Sequence, residues 1–170
     1  MTQENQPDLG GRIGRVMYYV AAIALLFLLE SMFSSWQDSR ENPNRGLSVG
    51  DGEVVLERNA YGHYVADGKI NGQPVTFLLD TGATGISVPQ SVADRVGLRG
   101  LGESRVRTAN GVVSVSNVVL DSVSLGSITQ YRVDGHINPH MGEDTVLLGM
   151  SFMKRLELIQ RGDQLTLRQY

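Results

Sequence analysis

The sequence predicts an all-β domain that follows a single transmembrane helix. An apolar segment near the N-terminus predicts the helix. After Gly50, short alternating or β-branched runs are separated by turn residues about every 8 to 12 positions, as in a small β-barrel or sandwich. Asn-Gly pairs at 71–72 and 110–111 predict tight hairpins. We therefore divide the chain into a tail (1–15), a membrane span (16–36), a linker (37–50) and a folded domain (51–170).

The predicted membrane span has an apolar centre and aromatic residues at its ends. Residues 16–29 are apolar apart from two tyrosines, but alone they are shorter than the roughly 20 residues that cross a bilayer. Tyr18 and Tyr19 at one end and Trp36 at the other extend the segment, because aromatic side chains favour the two membrane interfaces. We expect this helix to anchor the chain in a lipid bilayer.

Charged residues before the span predict its orientation. Arg12 and Arg15 precede it, so the positive-inside rule predicts a cytoplasmic tail and a domain outside the cytoplasm. In a Gram-negative bacterium this arrangement places the domain in the periplasm, on the inner (cytoplasmic) membrane. A cleaved signal peptide is the alternative, but only a weak cleavage site at 34–36 follows the apolar core. Residues 37–50 lack apolar periodicity and predict a linker that holds the domain away from the membrane.

The folded domain is predicted to contain many short strands and little helix. Two short helices are expected, at 91–96 with Ser91 as the N-cap and at 151–155. The strands follow from runs of β-branched and alternating residues between turns. The predicted strands are 54–58, 63–66, 69–70, 75–79, 105–109, 112–120, 121–125, 128–133, 144–148, 156–160 and 164–168.

Composition argues against several classes of function. The net charge is −3 without a block of like charges, so the basic surface of a nucleic-acid-binding protein is missing. The chain has no cysteine, which excludes disulfides, thiol nucleophiles and thiolate metal sites. His63, His136 and His140, with carboxylates such as Glu143 and Asp144, match no metal-binding spacing. We interpret these histidines as solvated loop residues and expect neither a metal nor a cofactor.

The strongest functional signal is a carboxylate at the end of an apolar strand. Residues 77–79 run directly into Asp80, which is followed by Thr81 and Gly82. The strand predicts that the carboxylate is buried, which is costly unless the group is hydrogen-bonded. The hydroxyl of Thr81 and the backbone N–H of Gly82 are suited to hold it. An aspartate that only caps a turn is the alternative.

A second apolar segment, 146–148, ends at Gly149 and precedes a predicted short helix. With this segment and the Asp-Thr-Gly-Ala turn, the sequence resembles the retropepsin-like aspartic peptidases of clan AA, in particular their bacterial membrane-anchored members. The resemblance covers most of residues 53–168. It is carried by GHY at 62–64, ING at 70–72, FLLDTGATGISVP at 77–89, TANG at 108–111 and LLGMSF at 147–152.

The resemblance implies a closed, mostly antiparallel β-barrel with half of an active site in each subunit. By the match, Asp80 is the catalytic carboxylate, and Thr81 locks two active-site turns together across a dimer. Gly82 is a turn position that needs close backbone approach, and Ala83 follows it in the motif. Viral members usually carry an Arg after the later glycine that helps to fasten the dimer. Met150 stands there in this chain, which leaves the strength of the dimer open.

The second Asn-Gly hairpin matches the position of the family's flap, a mobile loop that closes over the substrate. Its residues are Thr108, Ala109, Asn110 and Gly111, and together with Ala83 they are expected to contact substrate. An ordinary surface hairpin is the alternative. Ile86, Val88, Ile137, Val146 and Leu147 either line the cleft or belong to the core.

The resemblance implies an aspartic endopeptidase that hydrolyses peptides or proteins without a cofactor. The chain contains no second Asp-Thr-Gly or Asp-Ser-Gly, so the partner carboxylate has to be Asp80 of another copy in a homodimer. One alternative is a catalytically inactive, membrane-tethered module that binds or dimerises through the same fold. A serine hydrolase is a weaker alternative, because the chain has no Gly-x-Ser-x-Gly motif.

Overall fold

The computed structural model describes residues 9–47, 50, 52–108, 111–142 and 144–169, with side chains from Met17 onward. The chain forms two compact units, one ending at Ser39 and the other beginning at Arg40. Within the described residues, the first unit consists of the long helix as far as Ser39, and the second contains the last two residues of that helix and all of the strands.

Helix α1 spans Leu9–Glu41. Its 33 residues correspond to a length of about 50 Å at 1.5 Å per residue. The part from Met17 to Glu41 is long and apolar enough to cross a membrane, and no other helix in the described residues meets that condition. Large apolar side chains such as Leu26 and Phe27 are exposed along it. The predicted N-terminal apolar helix is confirmed, and it continues five residues beyond the predicted end at Trp36.

Within the described residues, the second unit has ten strands and two short helices. The helices are α2 (Gln90–Arg95) and α3 (Met150–Met153). The strands are β1 (Glu53–Glu57), β2 (Val65–Ile70), β3 (Gln73–Leu79), β4 (Ile86–Pro89), β5 (Gly102–Thr108), β6 (Gly111–Leu125), β7 (Ile128–Asn138), β8 (Thr145–Leu148), β9 (Leu156–Arg161) and β10 (Gln164–Gln169). The predicted all-β class is therefore confirmed.

Six of the strands close into a barrel in the order β2-β3-β8-β4-β7-β6, and β6 returns to pair with β2. Strand β5 extends the sheet as a hairpin partner of β6. Most pairings are antiparallel, but β3 pairs with β8 and β4 with β7 in parallel. Because β3 and β8 run the same way, their C-terminal ends lie at the same edge of the sheet. The loop after Leu79 and the loop after Leu148 are thereby brought side by side.

The barrel is filled by side chains that alternate along its strands. The largest fully buried residues include Phe77 on β3, Phe152 on α3 and Leu120 on β6. A second sheet of three strands, β1-β10-β9, adds Leu56 and Leu167 to the same core. In this sheet the first strand of the domain, β1, pairs with the last strand of the domain, β10.

Part of the segment predicted to be a linker packs onto the domain. Asn44 is 5% exposed, and its Nδ2 donates to the backbone oxygens of Glu57 (2.8 Å) and Val65 (2.7 Å). Its Oδ1 accepts from the backbone N–H of Glu57 at 2.7 Å. Asn42, also 5% exposed, donates to Oδ1 of Asp67 at 2.8 Å. Residues 42–47, which we call the strap, are therefore attached to β1 and β2 and do not form a free spacer.

Several details of the predicted elements were wrong. Ser91 does not cap α2, because the helix follows Pro89 and has no side-chain cap. The hydroxyl of Ser91 donates instead to Oδ1 of Asp144 at 2.6 Å, which ties α2 to the start of β8. Strands predicted at 63–66 and 69–70 form one strand, β2, and those predicted at 112–120 and 121–125 form one strand, β6.

Candidate active site

The carboxylate of Asp80 lies at the rim of the barrel, directly after β3. The backbone N–H of Asp80 donates to the oxygen of Leu148 at 3.2 Å, which continues the pairing of β3 with β8 by one residue. The chain then turns, and the N–H of Ala83 donates back to the oxygen of Asp80 at 3.2 Å. The N–H of Gly82 donates to Oδ1 of Asp80 at 2.8 Å. This last bond, expected from the motif, orients the carboxylate.

Two expectations about this turn were wrong for the single chain. Asp80 is only partly buried, because it follows the last residue of the strand and faces an open cleft. The side chain of Thr81 is exposed, and within the described residues its hydroxyl makes no hydrogen bond to Asp80. The carboxylate therefore depends on the backbone of Gly82 and not on the neighbouring hydroxyl.

Gly149 allows the two active-site loops to touch. A Cβ atom placed on Gly149 would lie 2.7 Å from the backbone oxygen of Ala83 and would collide with that of Gly85. Next to this contact, the N–H of Met150 donates to the oxygen of Ala83 at 2.8 Å. The N–H of Ser151 donates to the oxygen of Thr84, also at 2.8 Å. The start of α3 therefore holds the Asp80 loop through its backbone, and any side chain at position 149 would disrupt that contact.

A cleft of about 950 Å³ opens next to Asp80. Gly82 and Ala83 of the active-site loop line it, with Leu147 of β8. The sequence left open whether five hydrophobic residues line the cleft or belong to the core, and of these only Leu147 lines the cleft. The other four are buried in the core: Ile86, Val88, Ile137 and Val146. The cleft is large enough to take several side chains of a peptide.

The hairpin of β5 and β6 forms one wall of the same cleft. Val106 and Thr108 of β5 and Val113 of β6 line it. Thr108 pairs with Gly111, and the hydroxyl of Thr108 donates to the backbone oxygen of Gly111 at 3.0 Å. Ala109 and Asn110 lie outside the described residues. The hairpin is thus beside Asp80, where the resemblance puts a flap, and its role as a flap stays a prediction.

The interpretation of the three histidines as solvated loop residues was wrong for His136. His136 belongs to β7, is partly buried and lines the cleft. His63 and His140 are exposed, and His140 also lines the cleft. Burial lowers the pKa of His136 below its ordinary value, because desolvation disfavours the charged ring. Within the described residues, no cluster of three or more His, Asp or Glu side chains could hold a metal ion.

Sequence reasoning missed His136 because the predicted strand ended at Val133, whereas β7 continues to Asn138. Alternation along the longer strand would have found it. Val133 and Ile137 are buried in the core, so His136 lies on the opposite face.

Comparison with known proteins identifies the family. Residues 66–155 match the model of a family described as gag-polyprotein putative aspartyl protease. The chain belongs to this aspartyl protease family. The matched region begins in β2 and ends just after α3, so it includes both Asp80 and Gly149.

A solved structure from the same fold supports the assignment. The chain is similar to the crystal structure of a retropepsin-like aspartic protease from Rickettsia conorii, with 30% sequence identity and a TM-score of 0.59. The match covers 69% of this chain and 91% of that chain. The retropepsin-like barrel expected for the aspartyl protease family is therefore confirmed.

Two curated relatives are uncharacterized proteins. One, from the cobV 5' region of Sinorhizobium sp, is 35% identical over 125 residues, which are 71% of this chain and 54% of the relative. The other, RP867 of Rickettsia prowazekii (strain Madrid E), is 32% identical over 120 residues, which are 68% of this chain and 50% of the relative. The aligned part of the chain thus spans about half the length of these two relatives.

Proposed function

We propose that this chain is an aspartic endopeptidase that acts as a homodimer, with Asp80 of each subunit forming the catalytic pair. The observation that carries the proposal is the Asp80 carboxylate, which is oriented at 2.8 Å by the N–H of Gly82 and opens on a large cleft. Membership of an aspartyl protease family supports the same activity. One such carboxylate in each chain supplies half of the pair that the chemistry needs.

The proposed mechanism uses a shared proton. Two carboxylates within hydrogen-bond reach cannot both ionise, so the pair retains one proton, as in aspartic proteases generally. The ionised carboxylate takes a proton from water, and the water oxygen attacks the carbonyl carbon of the peptide bond. The protonated carboxylate donates to the carbonyl oxygen, which forms a tetrahedral intermediate. Collapse of this intermediate breaks the C–N bond, and the amine leaves with a proton from the pair.

The residues around Asp80 have distinct parts in this proposal. Thr81 is exposed beside Asp80, where it can meet the same turn of a second copy. Gly82 and Ala83 line the cleft and contact the substrate backbone. The hairpin from Thr108 to Gly111 closes over the bound peptide and excludes water. No cofactor takes part.

The first test compares two aspartate substitutions in the full chain purified in detergent micelles. Asp80→Asn should abolish cleavage of a denatured protein substrate, because the amide can neither ionise nor share the proton. Asp163→Asn alters a carboxylate of which 86% is exposed, in the β9–β10 turn, and should keep wild-type activity. Wild-type activity in Asp80→Asn would refute the assignment.

A mixing experiment tests the requirement for two subunits. When wild-type chains reassemble with an equal amount of Asp80→Asn chains, random pairing leaves about half of the activity of the same wild-type chains alone. The loss follows because mixed pairs contain one carboxylate. Activity that is unchanged by the variant would show that one chain is sufficient.

We further propose that α1 anchors the chain in the inner membrane with the peptidase domain on the periplasmic side. The support is the length and apolar character of Met17–Glu41, together with Arg12 and Arg15 before it. Because the chain has no cysteine, single substitutions can report sidedness. In spheroplasts, a membrane-impermeant maleimide should label Tyr61→Cys, at a position that is 68% exposed, and should spare Thr2→Cys until lysis. The reverse pattern would overturn the orientation.

A further inference from the structure

His136 lies in the cleft but has no part in the proposed proton transfers. It pairs in parallel register with Ser87 of β4 and in antiparallel register with Asn117 of β6. Val133 and Ile137 on the same strand are buried in the core. Because successive side chains of a strand point to opposite faces, the ring of His136 points into the cleft. It is one of the cleft-lining residues.

The ring of His136 lies close to the active-site loop. A Cβ atom placed on Gly85 would be 3.7 Å from Nδ1 of His136, and Gly85 closes the loop that begins at Asp80. Within the described residues, no hydrogen bond joins the imidazole to another group. A peptide that reaches Asp80 therefore passes a partly buried ring whose hydrogen-bonding capacity is unused.

The two buried polar side chains on this side of the cleft, Ser87 and Asn138, already have partners. Ser87 is 4% exposed, and its hydroxyl donates to Sδ of Met141 at 3.2 Å. Asn138 is 6% exposed, and its Oδ1 accepts from the backbone N–H of His140 at 3.0 Å. His136 is therefore better placed than Ser87 or Asn138 to bind a substrate side chain. Asp134 and His140 also line the cleft, but the ring of His140 is exposed, whereas that of His136 is partly buried.

Apolar side chains of Val106, Val113 and Leu147 also line the cleft, next to the polar residues Arg107 and Thr108 of the hairpin. A substrate side chain that contacts His136 in this space therefore meets both hydrocarbon and an imidazole. Because burial lowers the pKa of His136, the ring is neutral near neutral pH and offers one N–H donor and one acceptor nitrogen. An amide side chain matches both. An aliphatic side chain would leave the ring nitrogens unpaired when the cleft closes.

We propose that His136 is a specificity-determining residue, which selects an uncharged hydrogen-bonding side chain of the amide type at the subsite between β7 and the β5–β6 hairpin. The inference rests on the proposed peptidase function. It concerns substrate choice and not the hydrolytic step.

The first measurement needs only the full wild-type chain in detergent micelles. Synthetic peptides that differ by Asn or its near-isostere Leu at one position around the cleaved bond are compared by kcat/KM. At one position, Asn should be favoured by about fivefold, the factor that corresponds to one net hydrogen bond. Equal rates for Asn and Leu at every position would overturn the inference while leaving the peptidase assignment intact.

Three variants then assign the preference to the ring. His136→Leu should reduce the Asn/Leu ratio to about one, whereas His136→Gln, which keeps a donor and an acceptor, should retain part of the preference. His63→Leu changes an exposed histidine that does not line the cleft, and should keep the wild-type ratio. A purely structural role for His136 would lower kcat/KM for both peptides equally and leave the ratio unchanged.

The outcomes separate the inference from the proposed function. A wild-type ratio that survives in folded His136→Leu overturns the role of His136. If circular dichroism shows that this variant does not fold, the ratio in His136→Gln decides, because a full loss there contradicts the donor–acceptor argument. If wild-type chains at a concentration where they are dimeric cleave no peptide, the peptidase assignment fails, and the inference fails with it.

Discussion

The candidate active site is held mainly by backbone groups, and the residues that matter most around Asp80 are the small ones. Gly82 presents its N–H to the carboxylate, and Gly149 lets α3 approach the Asp80 loop. Met150 holds that loop through its backbone N–H, and its side chain takes no part in this hydrogen bond. The chemistry of position 150 can therefore vary while the geometry at Asp80 is kept.

Gly149→Ala should distort the site and destabilise the domain. The new methyl group would collide with backbone oxygens, which cannot rotate away as a flexible side chain could. We expect a loss of about 1 to 3 kcal/mol in the free energy of unfolding, as for overpacked cores, and a severe loss of peptidase activity. Gly142→Ala is the matched control, because a Cβ atom placed on Gly142 would have no other atom within 4 Å. Urea unfolding and peptide cleavage measure both effects, and equal stability of the two variants would contradict the argument.

His136 should make stability depend on pH. Its pKa is lower in the folded than in the unfolded chain, so between those two values the unfolded chain binds more protons. As the pH falls below the ordinary value of 6.5, folding is progressively destabilised until the folded pKa is passed. His136→Gln should therefore lose less stability than wild type between about pH 7 and about pH 5 in urea unfolding. His63→Gln, at an exposed position, is the control, and parallel pH profiles for wild type and His136→Gln would contradict the expectation.

At single positions, sequence and structure agree where the motif is local. The Asp80–Gly82 bond spans two residues, so the turn itself encodes it. The exposure of Asp80 depends on how the barrel rim opens, and the position of His136 depends on the neighbours of β7. Neither can be read from a short window, because both arise from strands that are distant in sequence.

Among the elements, the strap has the least obvious structural role. The side chain of Asn44 forms hydrogen bonds with backbone groups at the end of β1 and the start of β2. It thereby connects two strands that belong to different sheets. Asn44→Ala should destabilise the domain by about 1 to 3 kcal/mol, because it removes three part-buried hydrogen bonds to the backbone of Glu57 and Val65. Asn117→Ala, which removes one exposed bond from the hydroxyl of Ser104, should cost much less. Thermal unfolding measures the stability of both variants. Equal losses of stability in Asn44→Ala and Asn117→Ala would contradict a structural role for the strap.

Hairpins were the elements that the sequence predicted best. Asn-Gly marks the β2–β3 turn, where Asn71 has a φ of 51° and Gly72 a φ of 79°, values that these two residue types tolerate. Strand β4 was not predicted. It has only four residues, which is too short for the alternation of Ile86, Ser87 and Val88 to stand out from the loop before it.

On the scale of the whole molecule, the proposed dimer and the proposed anchor are linked. Confining two chains to one membrane plane raises their effective concentration, which compensates for a weak interface. A soluble fragment of residues 40–170, which retains the strap, should therefore lose specific activity on dilution. The full chain reconstituted in vesicles should keep its specific activity over the same range of total concentration. Identical dilution curves for the two forms would contradict a role for the anchor in pairing.

The overall architecture was predictable from motifs but not from periodicity. Alternating runs indicated short strands, and the two glycine-containing segments indicated the family. The closure of the barrel through β2 and β6, and the parallel pairing of β3 with β8, join residues far apart in the chain. A hydrophobic pattern contains no information on which of two distant strands will pair.

The position of β8 between β3 and β4 also determines when the site can exist during synthesis. Asp80 is synthesised well before the strand beside it, β8 (Thr145–Leu148), and before Gly149, which receives its loop. At about 5 to 20 residues per second, the ribosome needs several seconds to add them. During this interval a nascent chain carries its acid without the framework that orients it, so the proposed peptidase activity should be absent until α3 has been made.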